Sequence, residues 1–120
     1  GAGRLGGTIA THLAFNNLGF ELIGIFDLNE QIVGKEISQK TVMHIDDIET
    51  FFNYNLPDMA ILCIPREQAK QVVEKLYSLG IKNYWNFSHY DISMHHKDAI
   101  VENVHINDSL MTLCYMMSNN

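Results

Sequence analysis

The chain opens with Gly1-Ala2-Gly3-Arg4-Leu5-Gly6, and the reading of this stretch decides the fold. Its spacing is G-x-G-x-x-G, the turn that carries a phosphate-binding loop from a strand into a helix. Gly1 permits the tight turn, Gly3 lets backbone approach a pyrophosphate, and Gly6 lets the helix pack close to the sheet. Together with Arg4 and Leu5 they are the candidates to hold a dinucleotide's diphosphate, because amides and dipole at a helix N-terminus favour an anion. By itself the motif is weak, since glycine clusters also build ordinary turns. It gains force when it follows a strand, opens a helix and precedes an acidic residue about 20 positions on. The preceding strand is not in the sequence. A doubly wound sheet would place it centrally, so the chain is expected to be cropped from a longer protein.

The other two conditions are met. Leu5, Ile9 and Leu13, with Ala10 and Ala14 beside them, have helical spacing, and Gly19 is a suitable stop. Phe20 to Phe26 then reads as a nearly uninterrupted apolar strand, suited to a parallel sheet covered on both faces. It ends at Asp27, 21 positions after Gly6. A carboxylate there can accept hydrogen bonds from the adenosine ribose hydroxyls, and its charge would repel the 2′-phosphate of NADP. The plainer reading is that Asp27 and Asn29 form a polar turn after a strand.

Farther on, Gln31 to Met43 reads as a loop with one or two short strands around Ile37 and Val42. Asp46 or Asp47 can cap a helix through Ile48, Phe51 and Phe52 that ends before Pro57. Met59 to Ile64 is a second apolar strand. Pro65 follows as a first-turn residue of a helix from Arg66 to Leu79, stopped by Gly80, with Ala69, Val72, Val73 and Leu76 as its buried stripe. Lys82 to Phe87 and Ala99 to Val104 read as strands, and Asn107 to Met117 as a last helix. The alternation predicts an α/β, Rossmann-like, doubly wound and mostly parallel sheet. Residues 1–106 would form the nucleotide-binding domain and 107–120 a separate C-terminal helix.

Composition narrows the function. Eight Lys and Arg against 14 Asp and Glu give a formal charge of −6, the opposite of the basic balance of a surface that grips DNA. No apolar run approaches the roughly 18 residues of a membrane span, and no signal-peptide pattern is present. Cys63 and Cys114 form no C-x-x-C and read as buried free thiols in a reducing, cytoplasmic setting. Six histidines include the adjacent His95 and His96, yet no spacing suits zinc, and no metal is expected. Neither cysteine has a histidine and an orienting acid nearby, and Ser88-His89 lacks a nucleophile elbow. A dinucleotide site without catalytic apparatus suggests a sensor, in which binding is itself the output. Two alternatives stay open. One is the nucleotide-binding domain of a CoA-ligase-type or dehydrogenase enzyme with its substrate domain cropped; the other is a domain that has lost its ligand and only dimerises. The last helix is apolar nearly all round. It packs on its own sheet or inserts between two subunits.

Several segments carry a family resemblance: Gly1-Ala2-Gly3-Arg4-Leu5-Gly6, Gly24-Ile25-Phe26-Asp27, Val42-Met43-His44-Ile45-Asp46-Asp47, Ala60-Ile61-Leu62-Cys63-Ile64-Pro65, Gly80-Ile81-Lys82, Trp85-Asn86-Phe87 and Val101-Glu102-Asn103-Val104. In this order they resemble the C-terminal domain of Rex, the bacterial redox-sensing transcriptional repressor, over the whole chain. The resemblance implies a homodimeric repressor that compares NADH with NAD⁺ and has no enzymatic activity. NADH binding would release operator DNA through a winged-helix domain absent here. It further implies that the glycine loop holds the pyrophosphate and Asp27 the adenosine ribose. Cys63, Ile64 and Pro65 would lie near the nicotinamide end, with Asn86 and Phe87 close by. The last helix would be swapped into the partner subunit. Two departures stand out. The family's Asn-Phe-Ala-Pro is here Asn86-Phe87-Ser88-His89, and its usual acidic residue is here His105. They imply a differently shaped loop and an altered or pH-dependent switch, with NADH binding retained.

Overall fold

Two short stretches of strand pairing and one larger parallel sheet organise the residues that a computed structural model of the chain describes, 4–12 and 15–105. The chain divides into two compact units, one reaching Ile48 and the other beginning at Glu49.

In the first unit, α1 (Arg4–His12) opens directly after Gly3. Gly6 is buried, and so are Ile9 and Ala10 one turn later, which is the face the spacing predicts. A 3₁₀ turn (Phe15–Leu18) leads to Gly19, whose φ of +83° lies in the left-handed region where glycine meets no Cβ penalty. The expected strand from Phe20 is shorter than its apolar run: only β1 (Phe26–Asp27) pairs. Its parallel partner, β4 (Met43–His44), is itself two residues long, with Phe26 opposite Met43 and Asp27 opposite His44. Among the described residues, strand pairing in this apolar run is confined to Phe26 and Asp27, with the Ile25 carbonyl accepting the Met43 amide at 2.9 Å.

Between them, β2 (Glu36–Ile37) and β3 (Lys40–Thr41) form an antiparallel hairpin. Its two-residue loop, Ser38 and Gln39, has positive φ at both positions, the backbone that matches the right-handed strand twist. Ile37 lies in a strand as expected, whereas Val42 falls between β3 and β4. Ala10, Ile25 and Val42 form a core against which the half-buried Leu22, Ile32 and Ile37 pack. A 3₁₀ turn (Ile45–Asp47) runs into α2 (Ile48–Phe52). His44 caps this 3₁₀ turn, its Nδ1 accepting the Asp46 amide at 3.1 Å, and Asp46 and Asp47 lie within the turn, just before α2.

The second unit is a parallel sheet of β5 (Ala60–Leu62), β6 (Asn83–Asn86) and β7 (Ile100–Asn103), in that order. Ala60 lies opposite Tyr84, and Tyr84 opposite Val101. α3 (Arg66–Ser78) connects β5 to β6. Pro65 is the residue just before its first turn, and the Pro65 carbonyl accepts the amides of Gln68 and Ala69. Ala69, Val72, Val73 and Leu76 are all buried, as the stripe predicts. The helix ends in a Schellman motif. Gly80, at φ +106°, donates its amide to the Tyr77 carbonyl, and Ile81 donates to the Leu76 carbonyl. Ile81 and Leu76, the two positions where an apolar pair usually accompanies the motif, are both buried. Beyond β6, α4 (Ile92–His95) is one turn of helix where the sequence reads as a loop, capped by Asp91 through the Met94 amide. His95 ends this turn and His96 is its C-cap. Asp98, in the turn before β7, accepts hydrogen bonds from Tyr77 and, at 2.9 Å, from Lys82 Nζ. These bonds, Lys82's first, hold the Asp98 carboxyl down at about 2.

Candidate functional site

Gly1 and Gly3 lie outside the described residues, so the glycine turn is represented by the helix it opens. A helix does start at Arg4, and Gly6 in its first turn is buried. Asp27 is half-buried at the carboxyl end of β1. Its Oδ1 accepts the Asn29 amide at 2.8 Å, and Asn29 Oδ1 in turn accepts the Gln31 amide at 2.9 Å. The polar turn is therefore present, and it holds the Asp27 carboxylate at the end of β1.

The second unit brings the remaining candidates together. Cys63, Ile64 and Pro65 join β5 to α3, while Asn86 and Phe87 close β6. The Phe87 amide donates to the Leu62 carbonyl at 2.9 Å, which holds these two segments side by side at the carboxyl end of the sheet. Ligands of open parallel sheets bind at this end. Ile64 is buried, Pro65 is exposed, and the Phe87 ring packs against Trp85 at 5.0 Å between centroids. Cys63 is a free, half-buried thiol whose burial pushes it up to about 11. It is protonated at neutral pH and behaves as an apolar surface rather than a nucleophile.

Asn86 is 1% exposed, and its amide is used in full. Nδ2 donates to the Tyr90 carbonyl at 2.8 Å and to Asn103 Oδ1 at 2.9 Å. Oδ1 accepts from the Ser88 amide at 3.0 Å and from Ser88 Oγ at 2.6 Å. Two donors and two acceptor positions are all that an asparagine side chain offers. Asn86 is thus the brace of the loop that carries Phe87. Ser88, Tyr90 and Asn103 complete this brace, a role that the sequence reading gave to none of them. Among the described residues no group of three or more His, Cys, Asp or Glu could hold a metal ion, and no helix is long and apolar enough to cross a membrane.

Residues 1–90 match the family described as the CoA binding domain. The chain belongs to that family. Within it, the chain is 43% identical over 118 residues to the redox-sensing transcriptional repressor Rex of Caldanaerobacter subterraneus subsp. tengcongensis, covering 98% of this chain and 52% of that protein. It is 40% identical over 120 residues to the Rex of Clostridium perfringens, covering all of this chain and 56% of that protein. A crystal structure of RSP, a Rex-family repressor, matches with a TM-score of 0.81 and 41% identity over 99% of this chain and 56% of that one. RSP in complex with β-NADH matches at the same TM-score and identity, over 99% of this chain and 57% of that one. So does RSP in complex with β-NAD⁺ and operator DNA, over 99% and 54%. The chain spans about half the length of the curated relatives it matches. The resemblance to Rex drawn from the ordered segments is borne out, and with it the Rossmann-like α/β fold. The last helix, its swap and Cys114 lie outside the described residues.

Proposed function

We propose that this domain is the NAD(H)-binding redox sensor of a cytoplasmic transcriptional repressor, with no enzymatic activity of its own. In this reading, NADH binding governs release of operator DNA through a DNA-binding domain outside these 120 residues. The likeness to a Rex-family repressor over 99% of the chain, at 41% identity, carries the reading, and the acidic charge of −6 agrees with DNA contact made elsewhere. The pyrophosphate is assigned to Gly1, Gly3, Arg4, Leu5 and Gly6, and the adenosine ribose to Asp27. Cys63, Ile64, Pro65 and Phe87 are assigned to the nicotinamide end. There the protonated Cys63 and the Phe87 ring offer an apolar surface, which suits the uncharged dihydronicotinamide better than the cationic ring. Asn86 serves the same end through the loop it braces. Residues 107–120 would form the dimerisation helix. Asp27→Ala is expected to weaken NADH binding by about 1–3 kcal/mol, the range of a charge-assisted hydrogen bond, measured by calorimetry.

The family match itself favours a second reading, a site that takes coenzyme A. Both ligands share an adenosine and a diphosphate, but coenzyme A carries a 3′-phosphate beside the hydroxyls that Asp27 would bind, and like charge is repelled there. Titrating NADH, NAD⁺ and coenzyme A into the full-length protein separates the two. Binding of the pyridine nucleotides with NADH the tighter supports the sensor. Binding of coenzyme A alone overturns it.

A further inference from the structure

His89 and His105 stand at one end of the parallel sheet, the first on the loop after β6 and the second two residues past β7. Their Nδ1 atoms are 2.9 Å apart and their ring centroids 4.9 Å apart. The backbone that brings them together is firmly held. The Val104 amide donates to the Asn86 carbonyl at 2.9 Å, and the Asn86 side chain ties Ser88, Tyr90 and Asn103 into one network. His89 itself sits at φ +66°, in the left-handed region that a residue with a Cβ adopts at a cost.

A nitrogen-to-nitrogen contact of this length is a hydrogen bond only when one Nδ1 carries a proton and the other presents a lone pair. Two neutral rings of opposite tautomer meet this condition. So does one imidazolium donating to a neutral ring. Two imidazolium rings do not, because both Nδ1 atoms are then donors and two positive charges face each other. Among the described residues no other titratable side chain bonds to either ring. Asp91 is engaged at the start of α4, His95 stacks on Tyr90, and Glu102 on β7 bonds to neither ring. Among the described residues, therefore, no bonded carboxylate offsets the second charge.

We propose that His89 and His105 form a proton-operated latch between the loop 87–90 and the end of β7. It stays closed while the pair holds at most one extra proton, and the second proton opens it. When it opens, His89 leaves its left-handed conformation and the loop carrying Phe87 gains freedom. The device depends only on this contact and not on which ligand the domain takes.

Nitrogen-detected NMR of the imidazole rings and amide hydrogen exchange of the full-length protein test it between about pH 8 and pH 5, where histidine changes charge. After correction for the intrinsic pH dependence of exchange, amides of residues 87–90 are expected to exchange about tenfold faster at the acid end. His105→Ala should remove that step and leave the loop fast at every pH, while altering the titration of His89. His89→Gly, which removes the contact and relieves the backbone strain together, should also remove the step with the fold intact by thermal melting. Two histidines that titrate independently, or loop exchange that does not change with pH, would overturn the latch.

Discussion

The two units draw on similar residues but hold their strands by different means. In the first, pairing is two residues deep, β1 on β4 and β2 on β3, and much of the order comes from turns. Gly34, Ser38 and Gln39 all have positive φ, and Asp27 and Asn29 each tie down an amide two residues ahead. In the second, strands of three and four residues lie in one sheet. The connecting helix, 13 residues long, buries a continuous stripe. Continuous apolar burial tolerates no relaxation, whereas a core rimmed by half-buried side chains can close around a defect. The contrast concerns how each unit answers damage.

The largest response is expected at the brace. Asn86→Ala leaves the buried Ser88 amide and the Ser88 hydroxyl proton without their acceptor and cuts the bonds to Tyr90 and Asn103, and should cost about 2–4 kcal/mol in urea unfolding of the full-length protein. Next comes a like-for-like pair. Val73 and Val42 are 0% and 1% exposed, so the same truncation to alanine compares the units directly. Val73→Ala should cost about 2–3 kcal/mol. Val42→Ala should cost about 1–2 kcal/mol, because Leu22, Ile32 and Ile37 can settle into the space. Equal costs would break the contrast. The smallest effect is electrostatic. Asp98 has a depressed folded pKa, so its contribution is complete above its ordinary value of 3.8 and is lost as pH falls through about 2. Asp98→Asn should lower stability slightly at neutral pH and flatten the acid side of the curve between about pH 4 and pH 2, so that variant and parent converge at the acid end, as followed by circular dichroism.

Legibility in the sequence followed how local each feature is. The buried stripe of α3 was readable because four apolar residues at helical spacing need only one helix to explain them, and Pro65 and Gly80 mark its ends. Asp27 was readable because the distance from a glycine turn to the tip of the next strand is set by one helix and one loop. Three features were not. The Phe20–Phe26 run is apolar enough for a strand, but its pairing stops where the two-residue β4 stops. The hairpin loop Ser38-Gln39 takes a conformation usually marked by Asn-Gly, so its residues give no signal. α4 is a single turn, too short for periodicity to register. Within the candidate site, Cys63–Pro65 and Phe87 belong to strand ends that alternation alone locates. The brace of Asn86, Ser88, Tyr90 and Asn103 and the contact between His89 and His105 depend on two strand ends meeting in space. No spacing along one segment encodes that.

The Schellman close of α3 also bears on the order in which the second unit assembles. Its two bonds join residues three and five positions apart, Gly80 to Tyr77 and Ile81 to Leu76, so they close with little loss of chain entropy. Pairing Ala60 with Tyr84 must instead bring together residues 24 positions apart. The corner at 76–81 is therefore the inexpensive early step of folding. Once formed, it aims the emerging β6 back along the helix and shortens the search by which that strand finds its register on β5.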